Sequence, residues 1–203
     1  MDAQRQVLFV QGGGNGTHDE WDNKLVESLG HELGNDYKIH YPQMPTEADP
    51  AMKSWKAKIS SVLAKLQGKV FLVGHSIGGS ILLNYLTEGE VKKSIVGLAL
   101  LAAPSRDDDL WDFDDLRLPD NLGERLAYIP RIFLYHSRDD DVVPFAHLAL
   151  HGSRLPQATI RQLDGRGHQF GNNLADIAND IRLTYNVELQ VDYENRPNNR
   201  GRT

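Results

Sequence analysis

Apolar and polar positions along this chain follow two rhythms that take turns. Short apolar runs at residues 7–10, 37–41, 70–73, 95–101, 132–135 and 159–163 have the length of strands. Several are apolar on successive residues, the pattern of a strand covered on both faces. Between them the spacing turns helical. Trp21, Leu25, Leu29 and Leu33 recur at every fourth position, with Thr17 and Glu20 placed as a capping box in front and Gly34 as a stop. Met52, Trp55, Ile59, Val62 and Leu66 form a second stripe, opened by Asp49-Pro50 and closed by Gly68. Ile81, Leu82 and Tyr85 mark a third helix, residues 145–150 a weaker one, and Leu174, Ile177 and Ile181 another. The longest stretch without a rhythm, 103–123, is rich in aspartate and carries Trp111 and Phe113, which read either as a cover for a site or as anchors into the core. From Val187 on, Leu189, Val191 and Tyr193 alternate with polar residues, which predicts a short edge strand or a loose tail over 186–203, after a domain of residues 1–185.

Alternating strands and helices predict an α/β fold, a doubly wound, mostly parallel sheet of about six strands with helices on both faces. Ligand chemistry in such sheets gathers at the carboxyl ends of the strands, so a catalytic residue should directly follow one. Three candidates pass. Gly74-His75-Ser76-Ile77-Gly78 follows the run at 70–73 and leads into a helix. A nucleophile on such a sharp turn is strained, and glycine on either side removes bulk that would collide. Asp139, Asp140 and Asp141 follow the fifth run, ahead of Val142-Val143-Pro144, and His168 follows the sixth. A serine hydroxyl needs an imidazole to take its proton, and the imidazole needs a carboxylate to fix its tautomer. Ser76 is therefore the candidate nucleophile and His168 the general base, with one of three aspartates orienting it. The two left over read as a solvated turn or a helix cap before Pro144. After the first strand, Gln11-Gly12-Gly13-Gly14-Asn15-Gly16 can supply a backbone donor to an oxyanion. Gly13 and Ile77 are the candidates, with Gly14 as the substitute for Gly13.

Competing motifs fail on particular residues. A dinucleotide fingerprint needs a small residue where Thr17 stands and an acid where Tyr41-Pro42 stands. His147 and His151 are one helical turn apart, yet a hydrolytic zinc helix would carry Glu where Leu148 stands. The aspartates between 107 and 115 lack the glycine and closing glutamate of a calcium loop.

Composition adds limits. The 203 residues, 40% hydrophobic and 25% charged, suit one globular domain. No apolar run reaches the roughly 18 residues of a membrane span, and the polar start before Val7 does not read as a secretory leader. The absence of cysteine removes disulfides, thiolate metal sites and a cysteine nucleophile, and fits a cytoplasmic location. A net charge of −6 argues against nucleic acid as partner.

The Gly-rich first loop, Trp21, Gly74-His75-Ser76-Ile77-Gly78, Asp140-x-Val142-Val143-Pro144 and Gly167-His168 together resemble the compact single-domain α/β-hydrolases related to the retinoblastoma-binding serine hydrolase. The likeness runs from about residue 7 to 182. It implies the minimal α/β-hydrolase fold without a large cap, with strand order 2-1-3-4-5-6, and it selects Asp140 as the triad acid. Gln11 departs from the pattern, since many relatives place His before the glycines. The expected reaction is cleavage of an ester-like bond in a small acyl substrate through an acyl-enzyme, with no cofactor and no metal. A thioesterase, amidase or acyltransferase would use the same residues. A partner-binding protein on this fold is the rival from another class.

Overall fold

The computed structural model describes residues 4–89, 93–105 and 117–194. Six strands, β1 Arg5–Val10, β2 Tyr37–His40, β3 Val70–His75, β4 Ile95–Leu101, β5 Ile132–Ser137 and β6 Thr159–Leu163, form one sheet in the order β2-β1-β3-β4-β5-β6. Every pairing is parallel. Among the described residues six α-helices accompany them: α1 Asp22–Leu33, α2 Met52–Lys65, α3 Ser76–Thr87, the short α4 Leu122–Arg125, α5 Ala146–Arg154 and α6 Ala175–Glu194.

Successive strand residues point to opposite faces, and both faces are covered. Leu8, Val10, Leu72 and Leu98 pack with Trp55, Ile59, Ile81 and Leu148 from α2, α3 and α5. Val7, Phe9, Phe71 and Val73 pack instead with Leu25 and Leu29 of α1 and Ile177 and Ile181 of α6. Gly97 makes room in β4 for the Phe71 ring, which a Cβ there would meet at 2.3 Å. The strand order reverses between β1 and β3, so the loops leaving those two strands flank the crevice where such sheets bind ligands.

Three sequence expectations need correction. Thr17 and Glu20 form no capping box: a five-residue π turn, Thr17–Trp21, precedes α1, and the Thr17 hydroxyl turns back to the carbonyls of Gly13 and Gly14. Because α1 starts at Asp22, the inward stripe is Asp22, Leu25, Leu29 and Leu33, and Trp21 is 51% exposed. Within 186–203, residues up to Glu194 continue α6 instead of forming an edge strand or a loose tail. Extending an existing helix costs little per residue. Lys69 pairs with Glu188 at 2.9 Å, and the Tyr185 hydroxyl donates to the carbonyl of Gln6, so this end of α6 is tied to the sheet. Trp111 and Phe113, with most of the candidate lid, lie outside the described residues, as does the tail after 194.

Candidate active site

Ser76 sits where β3 passes directly into α3, at φ +51°, a left-handed conformation that non-glycine residues adopt at a cost of about 1–3 kcal/mol. The flanking glycines are required by backbone rather than by the serine itself. A Cβ on Gly78 would lie 1.9 Å from the carbonyl oxygen of Gln11, and one on Gly74 would lie 2.6 Å from Cα of Gly79. The turn is thereby wedged between the glycine loop and its own helix.

The three aspartates after β5 have separate tasks. Asp140 Oδ1 accepts the amides of Val142 and Val143, both at 2.9 Å, and Oδ2 lies 2.9 Å from His168 Nδ1. The carboxylate is fully buried, and His136 Nε2, 3.2 Å from Oδ2, is a further neighbour that the sequence reading missed. Burial would raise the pKa of Asp140, but the bonds from His136 and His168 outweigh it and hold it well below the carboxylate range. Asp139 is neither a helix cap nor an idle turn residue: it accepts the Ser137 hydroxyl at 2.5 Å and the amides of Arg166 and Gly167 at 3.1 and 3.2 Å. It thus braces the loop that carries His168. Asp141 is exposed, at the rim of the cleft.

His168 commits Nδ1 to Asp140, which leaves Nε2 for a proton from the cleft. Its side chain is 11% exposed. Burial lowers its pKa below the ordinary imidazole value and His75 adds to the lowering, while Asp140 opposes it. Ser76, His168, Gly13 and Ile77 line one open cleft of about 720 Å³, whose apolar wall includes Trp21 and Val142.

The glycine loop discriminates between its own amides. Gly12 N–H donates to Asp22 at 2.8 Å, Gly14 N–H to the Glu47 carbonyl at 2.6 Å, and Gly16 N–H to the Glu47 carboxylate at 2.9 Å. The substitute donor Gly14 is therefore already engaged, whereas among the described residues no partner takes the Gly13 amide. Ile77 is the second residue of α3, where helix amides have no carbonyl four residues back. Gln11, the departure from the family pattern, is a buried clamp. Its amide donates to Glu47 at 2.8 Å and its oxygen accepts from Met44 N–H at 3.0 Å.

His147 and His151 hold the backbone that leaves β4. His147 Nδ1 accepts from Ser105 N–H at 2.6 Å, and His151 Nε2 faces the carbonyls of Ala103 and Pro104 at 3.2 and 3.3 Å. Burial lowers the His151 pKa to about 4.

The profile of the family described as serine hydrolase matches residues 7–171. The chain belongs to the serine hydrolase family. Solved structures agree on the fold. The ydeN gene product of B. subtilis superposes with a TM-score of 0.74 at 18% identity, covering 90% of this chain and 100% of the other. A variant of Arabidopsis thaliana SOBER1 gives 0.65 at 16% identity, with 90% and 100% covered. A serine hydrolase involved in carbazole degradation, the CarC enzyme, gives 0.64 at 15%, with 90% and 91% covered. No curated protein matches the sequence. This serine hydrolase has the α/β-hydrolase fold expected from its sequence, and no described helix is long and apolar enough to cross a membrane.

Proposed function

We propose that this serine hydrolase cleaves an ester-like acyl bond through a covalent acyl-enzyme. Ser76 Oγ attacks the carbonyl carbon while His168 Nε2 takes its proton; the amides of Gly13 and Ile77 receive the charge that develops on the carbonyl oxygen. His168 then protonates the leaving alkoxide. In the second half it activates water, which releases the acid and returns Ser76. Asp140 fixes the tautomer and stabilises the imidazolium. The observation that carries this reading is Ser76 at φ +51° on the strand-to-helix turn, in one cleft with a histidine whose far nitrogen is bound to a buried aspartate. Trp21 and Val142 favour an apolar acyl or alcohol group in the substrate. The same features favour catalysis over a partner-binding role, which gains nothing from a strained serine beside a buried, paired carboxylate.

The test is steady-state hydrolysis of a short-chain p-nitrophenyl ester across pH, beside a thioester and an amide of the same acyl group. The ester should turn over fastest. Only neutral His168 can accept a proton, and its pKa lies below the ordinary value of about 6.5. Activity should therefore rise with pH along an acid limb of kcat/KM whose midpoint falls below 6.5. Absence of turnover on all three, or a midpoint well above 6.5, would count against the reading.

Gly13 offers a sharper check on the oxyanion donor. A Cβ there would meet Pro50 at 2.7 Å and the Ile77 side chain at 2.9 Å, so Gly13→Ala must shift either the loop or these two neighbours, one of which carries the second oxyanion donor. Turnover should fall by roughly 10²-fold or more with a much smaller change in KM, because the donor acts mainly in the transition state. An unchanged kcat in the folded variant would remove Gly13 from the role.

A further inference from the structure

A second histidine–aspartate pair lies beneath the first, and the triad does not use it. His75 immediately precedes Ser76, and Asp22 opens α1; their side chains are 1% and 0% exposed. His75 Nδ1 is 3.0 and 2.9 Å from the two oxygens of Asp22, and Nε2 is 3.1 Å from the backbone carbonyl of His168. Asp22 also accepts the amide of Gly12, one residue before the candidate oxyanion donor. One buried pair therefore touches three segments: the turn carrying Ser76, the glycine loop and the loop carrying His168.

The partners dictate the charge. Nδ1 faces a carboxylate and Nε2 faces a carbonyl, and both of these accept only. A histidine satisfied on both sides in this way must donate from both nitrogens, which makes it an imidazolium. We propose that Asp22 and His75 form a buried imidazolium–carboxylate clamp that positions the base and the oxyanion donor around Ser76. This assignment rests on the catalytic reading above. Both residues act through others and so are positioning residues.

Electrostatics agrees with the geometry. Burial would lower the pKa of His75, but the charge and hydrogen bond of Asp22 outweigh it and raise the value. Burial would raise Asp22, and His75, the Gly12 amide and Gln169 overcome it. The groups facing His75 are Asp22 at the head of α1, His168 after β6 and, more distantly, Asp140 after β5. The ring centroids of His75 and His168 are 4.8 Å apart. At that distance the His75 charge disfavours protonation of His168, and it acts on His168 more strongly than the opposing charge of Asp22.

The variant Asp22→Asn keeps the shape but removes the charge that holds the second proton on His75. With the loops released, kcat on the ester should fall by roughly 10²-fold, the cost of a misplacement near 1 Å, while KM changes far less. The acid limb of kcat/KM should also move to higher pH, which a merely structural defect would not cause. If the single variant does not fold, Asp22→Asn combined with His75→Gln, which leaves no unpaired charge, gives the same two readouts. Nitrogen NMR of the histidine rings in the Ser76→Ala protein reads the pair without any turnover. At pH 7.5 both ring nitrogens of His75 should be protonated. A neutral His75 in that spectrum would overturn the clamp, as would a folded variant with unaltered kcat and acid limb. Missing ester turnover in the wild type beside a doubly protonated His75 would instead fault the ester reading; the rate of Ser76 labelling by a fluorophosphonate then replaces kcat in comparing the variants.

Discussion

Ester turnover should fall by at least roughly three orders of magnitude when Ser76 becomes alanine. The variant removes the attacking oxygen and little else. Alanine keeps the Cβ, so the φ of +51° costs about as much as it does for serine, and the contacts of Gly74 and Gly78 that wedge the turn are untouched. Thermal stability should be nearly unchanged. The residue left behind cannot be replaced by a neighbour, because Ser80 donates its hydroxyl to the Pro104 carbonyl and is buried in α3. A folded Ser76→Ala protein with turnover near that of the wild type would mean that another group attacks.

Asp140→Asn should cost up to about 10⁴-fold in turnover. An asparagine can keep an acceptor oxygen for the Val142 and Val143 amides, so the turn survives. Its NH2 group then faces His168 Nδ1, which must become the acceptor, and the proton moves to Nε2, the nitrogen needed as base. The charge that stabilises the imidazolium also goes. Stability should fall most above the acid range. The folded-state pKa of Asp140 is depressed, so its contribution is present above the unfolded value near 3.9 and is lost as pH drops toward the folded one. Asp139→Asn keeps the oxygen that accepts from Ser137, Arg166 and Gly167, with weaker bonds, and should lose no more than roughly tenfold. Asp141→Asn, at an exposed position, should be near neutral. Turnover of the three single variants on one ester separates these roles. A mild Asp140→Asn beside a crippled Asp139→Asn would transfer the role to Asp139.

The residues that were legible in the sequence are those whose position is set by local pattern. The inner strands β3, β4 and β5 are mostly apolar and buried throughout, and β4 and β6 carry the bounds that the pattern assigns them. The candidates Ser76 and His168 and the run Asp139-Asp140-Asp141 stand out because each follows a strand; position does not choose among the three aspartates, and the family resemblance singles out Asp140. What escaped was polar structure made by contacts far apart in sequence. Asp22 is a charged residue three positions before Leu25 in an apolar stripe, which was its only local signal; its partner His75 is 53 residues away. The Gln11–Glu47 clamp spans 36 residues and is invisible to any period. The misplaced Trp21 shows the same limit. Trp21 lies four residues before Leu25 and Asp22 three, and both spacings share a helix face; the buried bond from Gly12 to Asp22 decides which residue turns inward. At the other end of the chain, alternation over four positions from Val187 mimicked a strand, yet α6 simply continues through them.

An activated nucleophile at Ser76 should react covalently with an electrophilic phosphonate. The purified wild-type protein is treated with a fluorophosphonate at neutral pH, digested and mapped by mass spectrometry, beside the Ser76→Ala variant. A single phosphonyl adduct is expected on the peptide containing Gly74-His75-Ser76-Ile77-Gly78, formed fully in the wild type and absent from the variant. An unlabelled wild type, or an adduct that persists at another residue in Ser76→Ala, would contradict the assignment of Ser76 as nucleophile.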